Sequence, residues 1–168
     1  MSATDRPTAP RYLAKIASAD AALARIGQLA RPVVFTNGVF DVLHRGHVTY
    51  LDQARALGAS LVVAVNSDES VRRLGKGKDR PLNPLDDRMA VLAALEAVDL
   101  VVPFETDTPR ELIVACLPDV LAKGADYTAA TTAGAAEVIA AGGRFVAIPL
   151  ASAHSTTALI ERVRGYLR

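Results

Sequence analysis

The segment that most constrains the fold runs from Val33 to His47, where a short apolar run gives way to the polar sequence TNGVFDVLHRGH. Beyond Gly46, apolar residues recur at the three- and four-residue spacing of an amphipathic helix. The pattern predicts a buried strand, a polar turn at Asn37 and Gly38, and then a helix. A helix N-terminus offers unpaired N–H groups and the positive end of the helix dipole, which together favour bound phosphate. The segment therefore predicts a phosphate site at a strand-to-helix junction.

Strand-like apolar runs alternate with helix-like segments along the rest of the chain. This alternation predicts an α/β fold in three layers, with a five-stranded parallel sheet and helices on both faces. The carboxyl ends of parallel strands meet at one edge of such a sheet, which is where ligands bind. Polar residues follow four of the five predicted strands. The predicted strands lie at 33–35, 61–65, 100–102, 120–122 and 145–148, and the main helices at 18–30, 46–57, 85–97, 109–117, 128–141 and 155–167.

Length and composition predict a single soluble domain. The chain has 168 residues, of which 1–10 are polar and contain prolines, so we expect a disordered N-terminus followed by one domain at 11–168. Lysines and arginines number 19 against 18 acidic residues, so no overall field favours nucleic acid or an anionic membrane. No apolar run approaches the roughly 20 residues of a membrane span, and the N-terminus lacks the apolar core of a signal peptide. We expect a cytoplasmic protein with neither nucleic acid nor membrane as a partner.

Two common phosphate-binding motifs are absent from the sequence. There is no G-x-x-x-x-G-K-[ST], and no G-x-G-x-x-G follows a predicted strand. Instead, the stretch from Thr36 to His47 resembles the T-x-G-x-F-D-x-x-H-x-G-H signature of the cytidylyltransferase-like nucleotidyltransferases. The triplet of Ser155, Thr156 and Thr157 resembles the second signature of that superfamily, which opens the last helix. Because the two signatures lie far apart and in the expected order, chance does not explain the match.

Within that superfamily, the chain resembles the heptose 1-phosphate adenylyltransferases of Gram-negative bacteria. The resemblance covers nearly all of residues 15–168 and is carried by 35–50, 64–68, 80–84, 88–89 and 123–127. It implies a Rossmann-like nucleotidyltransferase fold and transfer of AMP from ATP to D-glycero-β-D-manno-heptose 1-phosphate, giving ADP-heptose and pyrophosphate for the lipopolysaccharide core. In some organisms this activity is fused behind a sugar kinase, and the chain resembles the stand-alone form. It departs from the family at Ala125, usually glycine, and at 128–136, usually acidic, both on the sugar side.

The resemblance also implies which residues form the site, in three groups. The catalytic group, which contacts or neutralises the ATP phosphates, comprises His44, His47, Lys76 and Arg88. The nucleotide-binding group comprises Thr36, Asn37, Gly38, Phe40, Gly46, Ser155, Thr156 and Thr157. The sugar-phosphate-binding group comprises Asp41, Asn66, Asp68, Lys123, Asp126 and Tyr127. The nucleophile is the anionic sugar phosphate itself, so catalysis needs alignment and charge neutralisation but no general base.

The same resemblance suggests the cofactor and the assembly. Mg²⁺ is expected to be carried by the ATP phosphates, with few protein ligands of its own and no dedicated metal site. Relatives suggest a homodimer. Because adenine is expected to be recognised by backbone groups, the sequence does not by itself show which base is selected.

Each residue assignment has a structural alternative. The histidine pair is compatible with a zinc site, for which the other candidate ligands are His154 and Cys116, although the latter lies in an apolar stretch typical of the core. Arg88 and the loop that contains Lys76 and Lys78 are compatible with solvated surface positions. The triplet at 155–157 is compatible with a plain helix cap. The polar residues after strands one and two are compatible with turn stabilisation. Lys123 and Asp126 are compatible with an exposed ion pair of little energetic consequence.

Two functional alternatives also stand. The first is a cytidylyltransferase of the same superfamily, acting for example on glycerol 3-phosphate, or a relative that adenylates another phosphate acceptor. The second is a non-catalytic nucleotide-binding module. The presence of both His44 and His47 argues against the second alternative, and the clusters at 66–68 and 123–127 favour the heptose phosphate over the first.

Overall fold

Five parallel strands form one sheet in a computed structural model of the protein, which describes residues 8–75 and 79–149 together with 162, 163, 165 and 166. The sheet has the order β3-β2-β1-β4-β5, and every pairing is parallel, which confirms the predicted architecture. The strands are β1 (Val33–Gly38), β2 (Ser60–Asn66), β3 (Leu100–Phe104), β4 (Val120–Gly124) and β5 (Arg144–Ile148).

Helices cover both faces of the sheet because the side chains of each strand alternate between two apolar cores. A 3₁₀ helix at Arg11–Lys15 precedes the helices α1 (Ala22–Gly27), α2 (Arg45–Arg55), α3 (Asp68–Arg73), α4 (Leu85–Ala93), α5 (Arg110–Cys116) and α6 (Ala135–Ala140). One core contains Val34 and Leu61 with side chains from α2 and α4, and the other contains Phe35 and Val62 with side chains from α1, α5 and α6. All residues of β2 are buried, as expected for a central strand covered on both faces.

The strand order creates a crevice between β1 and β4. The chain builds β1, β2 and β3 outward in one direction and then returns to add β4 on the other side of β1, so the order reverses there. The register between these two strands pairs only Val34 with Val120 and Phe35 with Leu121, and it stops before their carboxyl ends. Parallel α/β sheets bind ligands at such a reversal point, beyond the carboxyl ends of the strands.

Three predicted helices are clearly shorter in the structure than in the sequence pattern, and one of them, predicted at 85–97, ends at Ala93. The helix predicted at 128–141 begins only at Ala135, because Gly134 takes a left-handed backbone conformation with φ of 83°. Before it, the hydroxyl groups of Thr131 and Thr132 bond to the backbone of Thr128, and such local hydrogen bonds compete with helix formation. The prediction of a helix over 18–30 is likewise too long, because α1 spans Ala22–Gly27.

The ends of the chain are described only in part. Residues 1–7 of the expected disordered terminus lie outside the described residues, as does most of the predicted closing helix at 155–167, of which 162, 163, 165 and 166 are helical. Among the helices that the structure describes, none is long and apolar enough to cross a membrane.

Candidate active site

The two histidines lie together at the beginning of α2. His44 is the N-cap residue, and its Nδ1 accepts a hydrogen bond from the backbone N–H of Gly46 at 3.1 Å. A neutral imidazole whose Nδ1 accepts carries its proton on Nε2, so this cap leaves His44 Nε2 as a donor. The rings of His44 and His47 stack with centroids 4.0 Å apart. The N-terminal end of α2 therefore combines the positive end of the helix dipole with two imidazoles.

His47 is held as a neutral imidazole. Burial, followed by the electrostatic effect of His44, lowers the pKa of His47 from 6.5 to about 4. Its Nδ1 is buried and makes no hydrogen bond to the part of the chain that the structure describes. Because the ring is uncharged at neutral pH, it can meet an anionic ligand as a hydrogen-bond donor through its N–H, without a permanent positive charge.

We expect the buried His47 to make the protein less stable in mildly acidic solution. Its pKa is lower in the folded chain than in the unfolded chain, so between pH 6.5 and about 4 the unfolded chain binds more protons and stability falls as the pH drops. Thermal unfolding at pH 5.0 and 7.5 should show this difference, and His47→Gln should reduce it. His44→Asn, which keeps a side chain able to cap the helix, should largely retain it. Equal pH dependence of wild type and His47→Gln would contradict the expectation.

The turn before the histidines has a strained backbone conformation. Phe40 has a positive φ of 46°, which is unusual for an aromatic residue and occurs often near functional sites. Its ring lies edge-on to His47, with centroids 5.4 Å apart. A Cβ atom added to Gly38 would lie only 3.0 Å from the Phe40 ring, so the close approach favours glycine. Gly38 and Phe40, predicted as nucleotide-binding residues, thus shape the turn that positions His47.

A cavity of about 230 Å³ opens at the carboxyl edge of the sheet. Its wall contains Asn37 from β1, Asn66 from β2 and Lys123 from β4, together with Tyr127. The buried Lys123 ammonium donates to the backbone oxygen of Asn37 at 3.2 Å and to its Oδ1 at 2.9 Å, where the ladder between β1 and β4 has ended. It also lies 4.7 Å from the centroid of the Tyr127 ring, a cation–π arrangement. Thr131 and Thr132, which the sequence pattern placed in a helix, lie in the same wall.

Arg88, which is predicted to neutralise the triphosphate, lies inside the fold. The residue is 2% exposed. Its guanidinium donates to the backbone oxygens of Asn83 at 3.0 Å, Val39 at 2.7 Å and Asn66 at 2.8 Å, and to the Asp68 carboxylate at 2.7 Å. The ends of β1 and β2, the first turn of α3 and the segment before α4 are thereby joined through one side chain. Arg88 and Asp68 thus face each other within the protein.

Asp41 is also satisfied by protein groups. Its buried carboxylate accepts hydrogen bonds from the backbone N–H groups of Leu82 and Asn83 at 2.8 and 2.9 Å and pairs with Arg80. The family resemblance implies a sugar-phosphate contact for Asp41. In the structure, Asp41 joins the turn at 37–44, which we call the histidine turn, to the segment that leads into α4.

Thr36 is fully buried, and its hydroxyl lies 2.7 Å from the Tyr50 hydroxyl. The nucleotide contact that the resemblance implies for Thr36 stays a prediction. Burial raises the pKa of Tyr50 to about 12, so the phenol stays neutral. Sequence reasoning missed Tyr50, although its place three residues after His47 puts both on one side of α2.

The remaining residues that the sequence singled out differ in their exposure, and some lie outside the described part of the chain. Asp126 is exposed beside Tyr127, and Gly46 is buried in the first turn of α2. Cys116 is partly buried, and burial raises the pKa of its thiol to about 11, in keeping with a core position. Four residues lie outside the described residues, namely Lys76, Ser155, Thr156 and Thr157. Within residues 8–75 and 79–149, no group of three or more His, Cys, Asp or Glu side chains could hold a metal ion.

Comparison with known proteins gives a consistent set of relatives. Residues 35–162 match the cytidylyltransferase-like family. The chain is 59% identical over 156 residues to a D-beta-D-heptose 1-phosphate adenylyltransferase from Bordetella bronchiseptica, covering 92% of this chain and 96% of that protein. It is 56% identical over 146 residues to the bifunctional protein HldE of Yersinia enterocolitica, covering 87% of this chain but only 30% of the relative.

A solved structure shares the fold. The lipopolysaccharide core biosynthesis protein from Thermoplasma volcanium GSS1 superposes with a TM-score of 0.59 at 27% sequence identity. The match covers 73% of this chain and 98% of that protein. The five-stranded sheet and the helices around it are thus a known arrangement.

Proposed function

The chain belongs to the cytidylyltransferase-like family, and from that premise we propose that it is an adenylyltransferase that transfers AMP from ATP to D-glycero-β-D-manno-heptose 1-phosphate. The products are ADP-heptose and pyrophosphate, for the lipopolysaccharide core. The observation that carries the proposal is the 59% identity to the B. bronchiseptica enzyme over nearly the whole of both chains. The stacked His44 and His47 at the mouth of α2 supply the donors that phosphoryl transfer needs.

The reaction is a direct displacement at the α-phosphorus of ATP. An oxygen of the sugar phosphate forms the new bond to that phosphorus while the bond to the leaving pyrophosphate breaks. Because this oxygen is anionic at neutral pH, the site needs neither a general base nor a covalent intermediate on the protein. The protein's task is to align the two phosphates and to stabilise the charge that shifts onto the leaving group.

We assign the ATP phosphates to the mouth of α2. His44 Nε2 donates from the neutral ring because its Nδ1 is occupied by the Gly46 N–H, and His47 donates from the same side of the helix. The helix dipole adds to both interactions. The further nucleotide contacts that we propose come from the backbone at Asn37, Gly38 and Phe40, and, from the sequence resemblance alone, from Lys76, Ser155, Thr156 and Thr157.

We assign the sugar phosphate to the cavity at the carboxyl edge of the sheet. Its wall holds Asn66, Lys123 and Tyr127, with Asp126 beside it at the surface. Four other residues assigned to ligands, which are Thr36, Asp41, Asp68 and Arg88, have protein partners in the structure. We propose that these four act by positioning the turn at 37–44 and the end of β2, without contacting the substrates.

Three further features complete the proposal. We propose that Mg²⁺ is carried by the ATP phosphates, where it would neutralise part of their charge. The carboxylate of Asp41, on the histidine turn, is already occupied by Arg80, Leu82 and Asn83, which fits a metal held chiefly by phosphate oxygens. From the use of ATP we propose a cytoplasmic location, and from the family resemblance alone a homodimer.

A substrate panel tests the proposed function. We expect pyrophosphate release with ATP and the β-anomer of heptose 1-phosphate, and little release when CTP replaces ATP or glycerol 3-phosphate replaces the sugar phosphate. Robust turnover of CTP with glycerol 3-phosphate would instead support a cytidylyltransferase. Binding of ATP without turnover of any acceptor would support a non-catalytic module.

A further inference from the structure

The side-chain amide of Asn66 is held in one orientation by a relay of hydrogen bonds. Ser70 Oγ lies 3.0 Å from the backbone oxygen of Thr106, and because a carbonyl oxygen only accepts, the serine hydroxyl must donate. Having used its single proton, Ser70 Oγ accepts from the Asn66 side chain at 2.9 Å. The atom of Asn66 that faces Ser70 is therefore Nδ2, and Oδ1 occupies the other arm of the amide.

Asn66 Oδ1 is open to the cavity. Asn66 is buried and lines the cavity wall. Within the part of the chain that the structure describes, the buried side-chain polar atoms without a hydrogen bond are His47 Nδ1 and Arg80 Nε, and Arg80 Nε forms the ion pair with Asp41. Asn66 Oδ1 receives no hydrogen bond from the described residues. A fully buried atom of this kind would belong with His47 Nδ1 and Arg80 Nε, and Asn66 Oδ1 does not, so it is partly exposed and solvent in the cavity reaches it. It is a fixed acceptor.

Asn37 has the opposite orientation to Asn66, because its side chain presents the donor Nδ2 and not the acceptor Oδ1. The Lys123 ammonium can only donate, so the Asn37 atom 2.9 Å from it is Oδ1, and Asn37 presents Nδ2 from the other arm of its amide. Asn37 and Lys123 both line the cavity. The wall at β1 and β4 therefore offers a donor beside a positive charge, whereas the wall at β2 offers an acceptor.

We propose that this polarity orients the acceptor substrate, with its phosphate at Lys123 and Asn37 Nδ2 and a sugar hydroxyl donating to Asn66 Oδ1. The inference rests on the proposed function. A phosphate dianion has only acceptor oxygens, so it is repelled by Asn66 Oδ1, whereas a hydroxyl can donate to it. Ser70 is then a positioning residue for specificity: it touches no ligand, and it keeps the carbonyl arm of Asn66 facing the sugar.

The Ser70→Ala variant tests this relay. Without the hydroxyl, nothing selects Nδ2 over Oδ1 on the Ser70 side, so the Asn66 amide is free to turn over and lose its acceptor in the cavity. We expect the KM for heptose 1-phosphate to rise roughly tenfold, as for the loss of one hydrogen bond, while the KM for ATP stays within about twofold.

Ser67→Ala is the matched control. Ser67 Oγ caps the same short helix, α3, by accepting the backbone N–H of Ser70 at 3.1 Å, and it takes no part in the relay. The control should leave the KM for heptose 1-phosphate near the wild-type value. Equal rises in the two variants, or an equal rise in the KM for ATP, would overturn the inference, because either result would show a general effect of α3.

A set of monodeoxy heptose 1-phosphates provides the second measurement. In the wild type, the analogue that lacks the hydroxyl read by Asn66 should show a kcat/KM about tenfold lower than the parent sugar. In Ser70→Ala the same analogue should lose nothing relative to the parent. An unchanged penalty in the variant would overturn the inference. If the wild type fails to turn over heptose 1-phosphate at all, it is the proposed function that fails, and the two failures are thus distinguishable.

Discussion

Replacing His47 by alanine should lower kcat by roughly 10²-fold or more, as the loss of one transition-state hydrogen-bond donor does. His47 lies at the N-terminal turn of α2, stacks on His44 and is neutral because burial lowers its pKa to about 4. In the proposed reaction, this neutral imidazole donates to the phosphoryl oxygens as their charge rises. The variant lacks that donor but keeps the helix N-terminus, so ATP binding should suffer less than kcat.

The measurement is the rate of pyrophosphate release at saturating ATP and heptose 1-phosphate, together with the midpoint of thermal unfolding. Val48→Ala is the matched control, because Val48 is the next residue of α2 and its side chain is exposed. It should retain near wild-type kcat. If purified wild type carried one zinc ion per chain and His47→Ala lost it, the histidine pair would be a metal site and the donor role would be wrong.

Replacing Arg88 by methionine should lower the free energy of unfolding by about 3–5 kcal/mol, the usual cost of removing one partner from a buried ion pair. Methionine keeps much of the apolar stem but has no donors. Its introduction would leave the backbone oxygens of Val39, Asn66 and Asn83 and the Asp68 carboxylate without the guanidinium. Urea unfolding measures this change, as a shift of the midpoint at similar slope.

Arg72→Met is the matched control for Arg88. Arg72 also forms an ion pair with a carboxylate, that of Glu69, but its side chain is 61% exposed and the pair is held on the surface of α3. Surface pairs contribute little, so this variant should unfold close to the wild type. If Arg88→Met were as stable as wild type but had lost kcat, the guanidinium would act on the phosphates, as the sequence resemblance first implied.

The sequence predicted the layers of the fold because strand and helix patterns depend on local spacing. The continuous apolar run at 61–65 indicates a strand buried on both faces, and β2 is such a strand at Ser60–Asn66. The signature at 36–47 likewise indicated a strand, a turn and a helix N-terminus, which the structure places at β1 and α2. The threonine-rich stretch from Thr128 was misjudged because alanine content favoured a helix, whereas Gly134 and the threonine hydroxyls determine a series of turns.

What only the tertiary structure decided is which polar side chains line the cavity and which are bonded to other protein groups. Arg88 reaches Val39, 49 residues away, and Asp41 reaches Leu82, 41 residues away. A charged side chain is buried only where the fold supplies partners that offset its desolvation, and partners so distant leave no trace in local spacing. The sequence by itself determined the sheet, the helix that begins at the two histidines and the family. The tertiary structure decided that Arg88 and Asp41 are bonded to protein groups beside the site. It also decided that Asn37 and Asn66 line the cavity with opposite amide orientations. In both cases, hydrogen bonds between segments distant in the sequence determine the result.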